Sequence, residues 1–330
     1  SSAPTSFGFR LQRPSQRSVA GSMTGTRAQS SPRRFRPPLK QRDSRSAVPC
    51  FFVEPRIVRP PWGGTRLATD LHKGEGIIGE TWEAWPDGRL TTHDEPLSNR
   101  VNFPLLVKLL DTRELLSVQV HPDAEAAKAR VGAPMGKAEA WVVLQADSGA
   151  RIALGLAQEM SAIELHDRAA SGAIEADLNW IYPHAGDVID VPPGTIHAIG
   201  PGLLLYEIQE PIDLTWRLYD WGRGRELHLD HACAVADLRP CPPAFVIRGA
   251  LGPGDESLIT LLQRPHFSLD RITQGARWRV EAGAALTVVV GSLSLRSGRD
   301  EWPLIRGQTI VLGPGEYNAA GLGVALLARP

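Results

Sequence analysis

Gly186-Asp-Val-Ile-Asp-Val-Pro-Pro-Gly-Thr-Ile-His197 carries the strongest structural signature in this 330-residue chain. Its fixed points are Gly186, Pro192, Gly194 and His197, in the spacing Gly-x5-Pro-x-Gly-x2-His. Glycine enters turns that a Cβ makes costly, and proline holds its own φ, so Pro192 stiffens a bend between two permissive positions. The bend presents His197 inward at the end of an apolar run. A lone histidine after a turn is more often a loop residue than a ligand. Four residue types at four matching spacings weigh the other way.

Two other segments supply partners for it. In Leu115-Leu-Ser-Val-Gln-Val-His-Pro-Asp123, strand alternation places Ser117, Gln119 and His121 on one face and Leu116, Val118 and Val120 on the other. A polar face of this kind suits a barrel whose interior holds a ligand. In Gly136-Lys-Ala-Glu-Ala-Trp141, alternation puts Lys137, Glu139 and Trp141 on one face, and Val143 continues it. A Lys-x-Glu pair is usually a solvated pair of little consequence. Here it runs straight into an apolar strand, as it would at a barrel mouth. Together His121, Glu139 and His197 make a His2Glu set, a donor combination of catalytic zinc, and Gln119 can add a neutral oxygen. Nitrogen and oxygen donors without thiolate also suit manganese, iron, cobalt or nickel.

Around these segments the chain reads as mainly β. Runs at 105–110, 115–120, 139–145, 203–209 and 216–219 are apolar-rich or alternating. Short strands separated by Gly and Pro turns predict a sandwich or barrel. One helical segment is expected over 161–179, opening on the capping box Ser161-Ala-Ile-Glu164 and divided at Ser171-Gly172. Turn formers cluster at Arg239-Pro-Cys-Pro-Pro243, and a second all-β unit follows, with strands expected at 286–290, 293–295, 309–312 and 324–327. The expected division is a metal-binding unit over 50–240 and a smaller unit over 241–330.

Charge is balanced overall, with 36 basic and 36 acidic residues. The first 50 residues hold ten Lys or Arg against the single acid Asp43, a net of +9 that leaves −9 on the remainder. An acidic body argues against nucleic acid as a partner. The Ser-, Arg- and Pro-rich segment 1–49 has few large apolar residues to offset its ordering entropy and is expected to be disordered. It has the composition of a transit segment, of sequence translated from upstream of the true start, or of an arm for an anionic partner. The second is preferred, because folded-looking sequence begins abruptly near Val48 and the chain opens on Ser1 rather than Met. No run approaches the roughly 20 apolar residues of a membrane helix. Cys50, Cys233 and Cys241 form no CxxC pair, which fits a reducing, cytoplasmic setting.

The motif at 186–197 resembles the second signature of the cupin superfamily, with Pro201 where an Asn often follows the histidine. Taken with further pieces, the chain resembles the type I mannose-6-phosphate isomerases. Those pieces are Pro61-Trp-Gly-Gly64 with Leu67, Ile78-Gly-Glu-Thr-Trp-Glu83, the run from Leu106 to Asp123, Gly136 to Trp141, and Thr215-Trp-Arg-Leu-Tyr-Asp220. The resemblance implies two cupin jelly rolls, the first binding one zinc ion through Gln119, His121, Glu139 and His197. It also implies Lys137 and Arg217 as active-site cations and a sugar phosphate as substrate, with Ser117 available to its phosphate. The reaction implied is interconversion of mannose 6-phosphate and fructose 6-phosphate through an enediolate. The proton-transferring group stays open among Lys137, a water on the metal and a carboxylate such as Asp220.

The second unit carries a degenerate signature, Gly307-x5-Gly313-Pro-Gly315, with Asn318 where the histidine should fall, so it is expected to bind no metal and to serve packing. The large helical insertion of the long family members is lacking, as in the short bacterial form. A cupin oxygenase would more often show His-x-His where this chain has Gln119 and His121. A non-catalytic sugar-binding cupin would lack the cations. No nucleic-acid or membrane partner is expected, and the chain is expected to be a monomer or weak homo-oligomer.

Overall fold

The computed structural model describes residues 50–330 except Pro253, so the expectation for segment 1–49 lies outside the described residues. Two antiparallel sheets form the first barrel. One has seven strands in the order Val246–Ile247, Val188–Val191, Glu139–Ala146, Leu203–Gln209, Leu106–Thr112, Glu80–Ala84 and Arg56–Val58. The other has five, in the order Trp216–Tyr219, Val118–Val120, His197–Ile199, Ile152–Leu156 and Leu178–Ile181. A third, nine-stranded sheet runs from Leu258–Gln263 to Gly323–Arg329 and takes in Cys50–Phe51 at one edge. The expected mainly β fold, two jelly rolls with a small helical segment, is what the chain forms.

Four apolar layers hold these sheets together. Leu110, Trp141, Val143, Leu154 and Leu205 fill the closed end of the first barrel. Val107, Leu109, Ala140 and Val142 point the other way and pack on Leu269, Ala285, Val311 and Leu326 of the second barrel. The second barrel has its own interior around Leu286, Leu295, Ile310 and Tyr317. Burying a large aliphatic or aromatic side chain is worth about 1.5–3 kcal/mol, and the seven-stranded sheet contributes such side chains to the cores on both of its faces.

The fourth layer orients the polar strand. The helix Ala162–Ser171 starts on the expected capping box, with Ser161 accepting from the Glu164 N–H, and stops at Gly172 in the left-handed conformation. The 3-10 turn Ala173–Asp177 follows, as the Ser171-Gly172 break predicts. Leu165 and Ala169 of the helix pack on Val118, Val120, Trp216 and Leu218 of the five-stranded sheet. With Val118 and Val120 drawn outward to the helix, Gln119 is turned into the barrel.

Three expectations change in detail. The strand predicted at 115–120 is shortened to Val118–Val120, because the chain from 115 to 117 is a loop. The strands predicted at 286–290 and 293–295 are one strand, Ala284–Ser297; Gly291 bends through a positive φ of 62° without ending it. An unpredicted helix, Ala124–Val131, follows Asp123, whose side chain accepts from the Ala126 N–H at 2.8 Å. Ser161→Ala removes one half of the capping box and is expected to lower stability by about 1 kcal/mol, measured by urea unfolding of the full chain.

Candidate metal centre and active-site cleft

Cross-strand register assembles the site. His197 stands directly opposite Gln119, and Arg217 stands opposite Gln119 on the other side, so one row of the five-stranded sheet reads Arg217, Gln119, His197. In the facing sheet, Glu207 lies between Trp141 and Lys108, a second row. Glu139 projects two residues before Trp141. His121 lies two residues past Gln119. Pro122 and the capping Asp123 then turn the chain, and Gly136 fits against them: a Cβ there would come within 2.5 Å of the Asp123 carbonyl carbon. That close approach, with the Lys137 N–H on the Pro122 carbonyl at 3.0 Å, brings Lys137 beside His121.

The donors converge. One ligand atom each from His121, Glu139 and His197 lies within 4.8 Å of the others, and all three residues are buried. His121 Nε2 is 3.3 Å from Glu139 Oε2, and His197 Nε2 is 3.2 Å from Glu139 Oε1. Each imidazole spends its other nitrogen on a backbone carbonyl: His121 Nδ1–H on Leu214 and His197 Nδ1–H on Thr195, both at 2.9 Å. A carbonyl can only accept, so each proton is on Nδ1 and each Nε2 lone pair points at the shared space. This is how metal-binding histidines are usually oriented. The Gln119 amide reaches His197 Nε2 at 3.1 Å, and a half-turn of that amide puts its oxygen there instead.

Electrostatics agree with a cation site. Burial, helped by the Lys137 charge, pushes the His121 imidazole down to about 3, and burial also lowers His197, so both rings are neutral ligands. Burial works against ionising Glu139, but the Lys137 ammonium beside it outweighs burial and holds the carboxyl well below the usual range. Lys137 Nζ itself lies 2.8 Å from Glu139 Oε2 and 3.0 Å from His121 Nε2, which shows that the ring of acceptors favours positive charge. These donors fit a divalent metal cofactor. Among the described residues, no other group of three or more His, Cys, Asp or Glu side chains is so placed.

The centre opens into a cleft of about 140 Å³ that brings together Ser117, Gln119, Lys137, Glu139 and Arg217; His121 and His197 join it through the donor triad they form with Glu139. Arg217 Nη1 donates to the Glu226 carbonyl at 2.7 Å, while its buried Nε has no protein partner among the described residues. Asp220 does not reach the cleft in a usable form. It is buried under Arg223 and Arg225, and their hydrogen bonds outweigh burial to lower its pKa, so it anchors those arginines rather than moving protons.

Four charged residues of the cleft go unnoticed in the sequence: Glu80, Lys108, Glu207 and Arg225. Lys108 and Glu207 pair at 3.4 Å, and Glu80 is 3.8 Å from the same ammonium. Burial raises the Glu207 carboxyl, with Lys108 opposing. Lys108 moves up too, because Glu207 and its acidic neighbours together outweigh burial. The signal for Glu207 was a single charge inside an otherwise apolar strand; the strand of Lys108 carries Asp111 as well. A larger open cleft, about 600 Å³ beside Arg66 and Arg113, offers no comparable donor set, so chemistry rather than size picks out the site.

A jelly roll with two histidines and a glutamate converging inside it defines a metal-dependent cupin. Residues 79–149 match the catalytic domain of type I phosphomannose isomerases. A mannose-6-phosphate isomerase of Streptococcus mutans is 31% identical over 295 residues, 79% of this chain and 92% of its own. The crystal structure of the mannose 6-phosphate isomerase from Bacillus subtilis superposes with a TM-score of 0.74 at 26% identity, over 85% of this chain and 99% of that one. A mannose 6-phosphate isomerase bound with zinc and yttrium shares the fold at 15% identity, with a TM-score of 0.68 over 85% and 99%. The chain belongs to the type I mannose-6-phosphate isomerase family. Glu139→Ala removes the carboxylate that lies between the two histidine Nε2 atoms. It should weaken metal binding by more than the roughly 10–100-fold that loss of an outer partner costs, measured by chelator competition.

Proposed function

We propose that this chain interconverts mannose 6-phosphate and fructose 6-phosphate with one zinc ion held by Gln119, His121, Glu139 and His197. The observation that carries this is the triad of donors set in a cleft that also presents Lys137 and Arg217. A non-catalytic cupin would have no use for those two cations beside the metal donors. Zinc is preferred on the donor set, two imidazoles with a carboxylate and an amide oxygen. Residues 50–240 carry the chemistry in this reading, and 241–330 support it.

The reaction takes the proton from C2 of the open-chain aldose and returns one to C1, while the hydroxyl proton passes from O2 to O1. Negative charge builds on the two oxygens in between. Zinc supplies Lewis acidity toward those oxygens. The Lys137 ammonium, which lies against Glu139, adds a second positive charge beside them. Arg217, held at Nη1 by the Glu226 carbonyl, presents to the cleft a guanidinium that can grip an oxyanion. With Arg225 and Ser117 it forms the end of the cleft suited to the phosphate, whose binding energy is remote from the reacting carbons.

For the proton itself, Glu207 is the best-matched group. It faces the cleft, and burial moves its carboxyl toward neutrality, where a group can both take and give a proton. Lys108 stays charged beside it and returns it to the carboxylate form. A sugar phosphate is then the sole partner needed, with the chain acting as a monomer or weak homo-oligomer in the cytoplasm, as its three free cysteines suit. No described helix is long and apolar enough to cross a membrane.

A coupled assay on mannose 6-phosphate should show turnover that chelation abolishes and zinc restores, with His197→Ala inactive. Metal-replete protein without turnover, together with a His197→Ala variant indistinguishable from the parent, overturns the assignment. Glu207→Gln should keep KM within a few-fold and lower kcat by about 10²–10⁴; unchanged steady-state kcat would remove Glu207 from the proton path.

A further inference from the structure

The turn between strands Leu258–Gln263 and Ser268–Ile272 belongs to the second barrel, yet it makes three contacts on the first. It is closed by the Arg264 N–H on the Phe267 carbonyl at 2.9 Å. Arg264 donates Nε to Asp190 Oδ2 at 3.0 Å, with Nη2 on the same oxygen. Asp190 lies opposite Ala140 in the ladder. His266 Nδ1 faces Glu210 Oε1 at 3.5 Å. Phe267, only 1% exposed, enters the core that holds Ala138 and Ala140.

One of these contacts, that of His266, falls on Glu210, which holds the strand of Glu139 at its start. Glu210 Oε2 accepts the Ala138 N–H at 2.9 Å, and the Glu210 N–H donates to the Ala138 carbonyl at 3.1 Å. Ala138 stands between Lys137 and Glu139, its methyl in the apolar layer while its neighbours' side chains enter the cleft. One residue therefore holds both backbone groups of Ala138, and its other carboxylate oxygen faces the second barrel. Neither the metal donors nor the proton path uses Glu210, Asp190, Arg264 or His266.

We propose that the turn 264–267 is a positioning clamp that acts through Glu210 on the Ala138 peptide and sets how Lys137 and Glu139 enter the cleft. The second barrel, with Asn318 where a ligand histidine would fall, thereby takes part in the chemistry of the first. Outer partners of this kind set the aim of a ligand, and their loss typically costs about 10–100-fold in metal affinity or activity. The proposal rests on Glu139 as a metal ligand and Lys137 as an active-site cation.

The test uses the full chain as Glu210→Ala, Glu210→Gln, His266→Ala and the double Glu210→Ala/His266→Ala. Zinc dissociation constants come from chelator competition, kcat and KM from mannose 6-phosphate turnover, and folding from the thermal midpoint. Glu210→Ala should lose about tenfold in zinc affinity and in kcat with KM within about twofold. Glu210→Gln should recover most of both, since its amide oxygen still accepts from Ala138. His266→Ala should lose less in the same two quantities, and the double should be no worse than Glu210→Ala alone, as residues acting in series require. A folded Glu210→Ala with parental zinc affinity and kcat overturns the clamp, as does a Gln variant no better than Ala. Should Glu210→Ala not fold, His266→Ala decides, because that side chain is 45% exposed; parental values for it remove the second barrel from the mechanism. A parent inactive on mannose 6-phosphate would sink the isomerase assignment instead, and the zinc-affinity arm would still test the clamp.

Discussion

Glu139 is an ionised carboxylate with 2% exposure inside a barrel, and an uncompensated charge there costs several kcal/mol. Its surroundings answer that cost. The Lys137 ammonium lies against it and compensates the charge, while backbone carbonyls at Thr195 and Leu214 fix two imidazoles whose unprotonated nitrogens complete a ring of donors for a cation. None of these three neighbours is in place without being held by another part of the chain. The loop at 136 must pack on Pro122 and Asp123, the bend at Pro192 must deliver His197, and the loop carrying Leu214 must reach His121. A single buried charge thus ties together segments up to 93 positions apart. The same arrangement makes the site a poor place for any neutral ligand and a good one for a divalent ion.

Burial on both faces of the seven-stranded sheet does the second part of the work. Val107 and Leu109 face the second barrel while Lys108 and Leu110 face the first, so one strand separates an apolar seam from a charged cleft by nothing more than its pleat. A one-residue slip would bury Lys108 in the seam and empty the cleft of it, so register here is held by large energies on both sides. The ladder with Leu203–Gln209 then carries Glu207 to the same face as Lys108. Precision in the cleft is inherited from packing that is itself indifferent to chemistry.

That architecture also explains what could be read in the sequence. The strand 203–209 and the strand 216–219 were predictable to the residue, as was the helix start at Ser161, because hydrophobic runs and capping boxes are local signals. The metal donors were readable because His121 and His197 sit beside prolines and glycines with fixed spacing, and Glu139 follows a lysine in an alternating run. Lys108 and Glu207 were not. Their strands are apolar on both sides, so no alternation marks the face they occupy, and their partnership exists only through a register between residues 99 positions apart. Asp220 misled for the opposite reason: it lies next to the strand of Arg217, yet Arg223 and Arg225, three and five residues on, claim both of its oxygens.

The second barrel poses a different question, since its own cupin signature has lost the histidine. Asn318 lies on a strand paired on both sides, opposite Arg277 and Arg296, and its amide donates to the Arg296 carbonyl at 3.5 Å. A domain kept for packing alone would need only its apolar face, and Leu269, Ala285 and Leu326 supply that. Packing, however, does not require a tight turn that sends Arg264 to a buried Asp190 and aims His266 at Glu210. Buried charges are retained where they fix a geometry that apolar contacts would leave free to slide. Apolar contact can press two sheets together, but it cannot specify how far along the seam the strand of Glu139 sits. Polar contacts on the strands at either side, Arg264 on Asp190 and His266 on Glu210, can, and the strand between them is the one that carries the carboxylate on which the metal site depends.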